Sequence, residues 1–124
     1  MGKSSKKKGA KEEKQAKAAA KAAKAAQTMG MLLANAAETG DVSGAKDAIA
    51  RGASVDFITP DDWTPLQIAS SEGHEATTGL LIKAGATVDK ARDNGATPLF
   101  IAAQYAHEVV LEQLIKAGAT LDKA

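Results

Sequence analysis

Thr64-Pro65-Leu66-Gln67-Ile68-Ala69 returns 33 residues later as Thr97-Pro98-Leu99-Phe100-Ile101-Ala102. A second block keeps the same step: Ala84-Gly85-Ala86-Thr87-Val88-Asp89-Lys90 reappears as Ala117-Gly118-Ala119-Thr120-Leu121-Asp122-Lys123. Gly40 and Gly73 are separated by 33 as well, and so are Gly52 and Gly85. Separate anchors that share one period mark stacked supersecondary units, none of which can bury its apolar face alone.

Each unit reads as two short helices. Thr64 and Thr97 suit the N-cap, where a hydroxyl accepts from an unpaired N–H of the first turn. Pro65 and Pro98 follow at N1, where a missing N–H costs nothing. Leu66, Ile68 and Ala69 then form a mostly apolar helix of roughly two turns, too short to persist alone in water. The second helix of the last unit is predicted near Glu108–Lys116. There Val110, Leu111, Leu114 and Ile115 share one face, and Lys116 sits at the negative helix end. Gly118, Gly85 and Gly52 are expected as left-handed C-terminal stops. Asp93-Asn94-Gly95 is a turn signal between units.

These residues resemble the ankyrin repeat, whose period is 33 and whose signature is TPLHxA. The resemblance covers three units, 29–61, 62–94 and 95–124, and implies an all-α ankyrin-like solenoid of helix-loop-helix units joined by protruding hairpin loops. Residues 28–124 form the array, behind a basic Lys/Ala-rich tail at 1–27. The first unit is atypical, with Met31-Leu32 where Thr64-Pro65 would stand, as expected of a terminal unit whose outer face meets water. The histidine of TPLH is replaced by Gln67 and Phe100. In the family that histidine ties adjacent loops, a role open to Gln67 and closed to Phe100. Thr77 and Thr78 stand where the family has large aliphatics. Gly79 falls inside a helix at a cost of about 1 kcal/mol. Ala106 replaces Gly40 and Gly73, and a left-handed backbone there would strain it by about 1–2 kcal/mol.

The net charge of +1 conceals a division. Residues 1–27 carry nine lysines and two acids, +7, whereas residues 28–124 carry seven Lys/Arg and thirteen acids, −6. Ala16–Ala26 contains only Ala and Lys, a low-complexity segment that buries nothing of its own. Lys14, Lys17, Lys21 and Lys24 would share one face of a helix. Two readings stand side by side: a solubilising extension, or an anion-binding arm for nucleic acid, acidic protein or anionic membrane. No arginine or aromatic interleaves these lysines, so base readout is not indicated and any nucleic-acid binding would be phosphate-driven and salt-sensitive. The opening Met1-Gly2 fails the myristoylation pattern, because Lys6 stands where Ser or Thr is needed. The chain has no cysteine, which excludes a disulfide framework. The absence of an apolar leader or span points to an intracellular protein, cytoplasmic or nuclear.

Chemistry finds little support. His74 and His107 occupy the same place in consecutive units, which the resemblance makes structural. No metal-ligand spacing surrounds them, and no phosphate loop or nucleophile–base pair is present. The expectation is a non-enzyme without catalytic residues, cofactor, metal or small-molecule substrate, acting as a scaffold or adaptor that binds another protein. Positions that break the repeat are the candidate contacts: Asp61, Trp63, Ser71 and Glu72, against Asn94, Ala96, Gln104 and Tyr105. Trp63 leads as a hot-spot anchor, and its structural alternative is packing over Pro60 or the neighbouring finger. The acid excess favours a basic partner surface. A rival reading makes the tail an electrostatic tether and the array a cargo carrier. The last unit stops at Ala124 without a polar capping unit, so either a longer native chain or self-association through that edge is expected.

Overall fold

The computed structural model describes residues 27–120. The expectations that fall on the tail, including Lys14, Lys17, Lys21 and Lys24, lie outside the described residues, as does the terminal stretch 121–124. Six helices follow one another: α1 (27–39), α2 (Val42–Ala50), α3 (Pro65–Glu72), α4 (Glu75–Lys83), α5 (Pro98–Gln104) and α6 (Glu108–Lys116). Helix α3 pairs with α4 and α5 with α6, and α1 and α2 precede them in the same order. The pairs stack in register, α3 on α5 in one row and α2, α4 and α6 in the other. No strand is assigned among the described residues. The all-α solenoid of three helical pairs is therefore what the 33-residue period encodes.

The caps form as their residues dictate. Thr64 Oγ1 accepts from the Gln67 N–H at 3.2 Å, and Gln67 Oε1 accepts from the Thr64 N–H at 2.9 Å, a closed capping box. Thr97 repeats half of it, accepting from the Phe100 N–H at 3.3 Å. Phe100 cannot return the bond, and its ring lies 46% exposed. The spare donor of Gln67 reaches Lys90 O at 2.7 Å in the next loop, so Gln67 does tie adjacent loops. After the outer helices, Gly52, Gly85 and Gly118 have positive φ. The alanine that follows each donates back into the last turn, to Ala48, Leu81 and Leu114 O. Helix α1 departs from the other inner helices. It is already helical at residue 27 and runs straight through Met31-Leu32, where α3 and α5 start from threonine caps.

The core is built in columns with the same step. Leu33, Leu66 and Leu99 form one column, Ala36, Ala69 and Ala102 a second, and Ala48, Leu81 and Leu114 a third. Thr77 and Thr78 fall into columns whose third-unit members are Val110 and Leu111. Both threonines are fully buried, and neither hydroxyl has a hydrogen-bond partner. A buried hydroxyl left unpaired forfeits its hydration without compensation. Gly79 lies beneath the Gln113 side chain. A Cβ there would sit 3.2 Å from Gln113 Nε2, which donates to Glu75 O at 2.9 Å across the outer helices.

Histidine rings lock the inner loops together. The Nε2 of His74 lies 2.9 Å from Glu38 O, and that of His107 lies 2.9 Å from Ser71 O. A carbonyl only accepts, so each Nε2 carries the proton. The rings rest on the bare Cα of Gly40 and Gly73, which have φ of +77 and +75. A Cβ on Gly73 would stand 2.5 Å from His107 Nδ1. Glycine is thus required twice, by the backbone and by the ring. Ala106 occupies the equivalent loop of the third unit at φ +58, the strained position expected from the sequence.

Three substitutions test these contacts through stability. Thr77→Val is expected to raise it by about 1 kcal/mol, an upward Tm shift of roughly 4–8 °C for an array of this size, read by thermal circular dichroism. Ala106→Gly is expected to gain about 1 kcal/mol in urea denaturation by relieving the left-handed strain. Gly73→Ala is expected to lose more than about 2 kcal/mol in the same assay, because the methyl adds a clash with His107 to that strain.

Candidate functional site

Loops between the helical pairs form two fingers. In the first, Thr59 N–H donates to Trp63 O and Asp62 N–H donates to Thr59 O, each at 2.9 Å. In the second, Arg92 N–H donates to Ala96 O at 2.9 Å and Gly95 N–H donates to Arg92 O at 2.8 Å. Asp62 falls where Gly95 does and shares its left-handed backbone, with φ of +66 against +85. The carboxylate of Asp62 accepts from the Asp93 N–H at 2.7 Å, which ties one finger tip to the next. At the finger bases, Asp56 accepts from the Thr87 N–H at 2.8 Å and hydroxyl at 2.6 Å. Asp89 repeats that clamp on Thr120 at 2.9 and 2.8 Å.

The first finger stands over α1 and α3 and encloses an open trough of about 350 Å³. Its lining includes the apolar residues Met31, Ala34, Ile68 and Trp63 and the acids Glu38, Asp61 and Glu72. Four of the sequence candidates, Asp61, Trp63, Ser71 and Glu72, meet here. Asp61 and Glu72 are exposed, whereas Trp63 and Ser71 are half-buried. The remaining candidates lie one unit further along. Gln104 and Tyr105 are exposed at the end of α5, where the Tyr105 ring stacks on His107 with centroids 6.4 Å apart. Asn94 is exposed at the second finger tip, its Oδ1 accepting from the Ala96 N–H at 3.0 Å. Ala96 is only 7% exposed. Its methyl is turned into the array because its chain position opens the turn into α5, so it offers a partner almost no surface.

Trp63 packs against the neighbouring finger, the structural alternative considered for it. Its ring lies under the guanidinium of Arg92, 4.0 Å from Cζ to centroid. Arg92 also donates to Asp62 O at 3.1 Å and to Asp61 O at 3.2 Å. The neighbouring finger therefore pins one side of the indole, and the indole also lines the trough. The α1 contribution was missed from the sequence, although the signal was available. Glu38 is the 33-residue counterpart of Ser71 and Gln104. Met31-Leu32, standing in place of the Thr-Pro start, obscures that alignment in the sequence.

Electrostatics favour cations. The described residues hold twelve Asp/Glu against six Lys/Arg. Among them the one ion pair is Arg51 with Asp47 at 3.1 Å, within α2. The carboxylates of Glu38, Asp61 and Glu72 have no cationic partner among the described residues. Arg92→Ala is expected to cost about 1 kcal/mol, from the lost cation–π contact and hydrogen bonds. It should also raise acrylamide quenching of Trp63, the sole tryptophan, because the indole loses its cover.

Among the described residues no helix is long and apolar enough to cross a membrane. A search of curated proteins found no match to the chain. The family model of ankyrin repeats, in three copies, matches residues 33–124. That span takes in α1 from Leu33 onward, α2 to α6, both histidine ties and both fingers, and the chain belongs to the ankyrin-repeat family.

Proposed function

We propose that the array is a non-catalytic binding module that takes a partner protein along its fingers and inner helices. Ankyrin repeats are in general protein–protein interaction modules. The observation that carries the finer reading is the trough, in which an indole and aliphatic side chains lie beside three carboxylates that meet no cation among the described residues. An aromatic held rigid by its neighbours and open on one side contributes contact area at small entropic cost. The contact set is Asp61, Trp63, Ser71 and Glu72 with Glu38 in the trough, continuing through Asn94, Gln104 and Tyr105. Ala96 drops out because its side chain is buried. Acids around apolar side chains suit a basic partner surface and would speed its encounter.

The charge division of the chain supports a second reading, in which the basic tail holds nucleic acid or anionic membrane and the array recruits cargo. That reading concerns residues outside those described. For the first, the double variant Trp63→Ala, Tyr105→Ala is expected to abolish capture of the cellular partner in an affinity pull-down, with far-ultraviolet circular dichroism unchanged. Capture at the wild-type level would remove these residues from the contact surface.

A further inference from the structure

The chain carries a segment whose chemistry matches the trough. Residues 3–17 contain seven lysines and two glutamates, a net of +5. The trough presents Glu38, Asp61 and Glu72, whose carboxylates meet no cation among residues 27–120. We propose that this trough is the seat of the chain's own lysine-rich segment, residues 3–17, lying between the first finger and the α1–α3 face.

Connection and reach agree with this. The hollow beside the start of α1 is lined by Gln27, Thr28, Met31, Leu32 and Asn35. Met31 and Asn35 belong also to the trough, so the trough opens beside the point where the preceding chain joins α1. Glu38 lies eleven residues along α1 from Gln27, a rise of about 17 Å. The nine residues 18–26 span up to about 30 Å when extended, enough to bring Lys17 and Lys14 back to Glu38. Lysine suits the apolar lining as well as the acids. Its methylene stem covers Met31, Ile68 and the open side of Trp63 while the ammonium reaches a carboxylate. Tethering supplies an effective concentration on the order of millimolar, so a weak intrinsic contact suffices. The seat rests on the reading of the trough as a partner's contact surface only in its consequence, that an incoming partner has to displace the segment.

Trp63 reports on the seat without any partner, because it is the sole tryptophan. The measurement is acrylamide quenching of the full chain at about 20 and about 500 mM NaCl, which bring screening lengths from tens of ångströms down to a few. The wild-type quenching constant is expected to rise about twofold at high salt. Two variants are expected to show the high value at both salts: one with the seven lysines of residues 3–17 changed to Gln, and Glu38→Gln with Glu72→Gln. The first leaves the array sequence untouched, so a folding defect in the second does not cloud the result. Wild type and the seven-lysine variant quenching alike at low salt would overturn the seat. Protection that grows with protein concentration would also overturn it, by assigning the trough to the segment of a second copy. Loss of partner capture in the Trp63/Tyr105 variant tests the contact surface separately, so either reading can fail while the other stands.

Discussion

Lateral stacking between units is the constraint on which everything else depends. The helices from α2 onward span only seven to nine residues, below the length at which a helix persists alone in water. Their stability comes from the columns of Leu33, Leu66 and Leu99 and of Ala48, Leu81 and Leu114, which exist only when neighbours are aligned. Alignment is enforced at three heights. Aspartate clamps hold the finger bases, the Gln67 amide reaches the next loop, and the histidine rings bind the inner turns. Apolar columns alone would tolerate a slide along the stack. These directional bonds, repeated at the same step, fix the register.

The architecture was legible because stacking imposes one frame on every unit. Threonine caps, the C-terminal glycines and the strained Ala106 could all be read by laying one copy against the next. What escaped reading depended on contacts between different positions of neighbouring units. Gly79 reads as a plain helix defect, yet the Gln113 amide of the next unit lies over it. Asp62 holds the second finger through the Asp93 N–H, a tie between different positions of the two units. The Asp56–Thr87 clamp joins residues 31 apart, so a comparison made at a step of 33 passes over it. The candidate site divided along the same line. Variable positions on the first finger and α3 did gather in one trough, but variability also picked out Ala96, a small residue that varies while buried.

The trough illustrates how a repeat fold separates support from contact. Its apolar lining includes Ile68, which packs against the core, and its acids come from loop and helix-end residues that the core does not constrain. Trp63 bridges the two classes. Arg92 holds the indole through stacking while its hydrogen bonds hold the finger backbone. A rigid aromatic at such a place needs little ordering on contact, which is where binding entropy is otherwise lost.

The paired requirement for a bare Cα and a following histidine carries a consequence for the order of the units. Gly40 accepts the ring of His74, and Gly73 accepts that of His107. Ala106 would present a methyl to any ring arriving from a unit of the same kind. The three units share one shape, yet they are not interchangeable modules. Moving the third unit ahead of the second would drive His74 into Ala106 and leave Gly73 without its ring. The loops thus encode a sequence of neighbours, a grammar of succession written in the presence or absence of a single carbon atom.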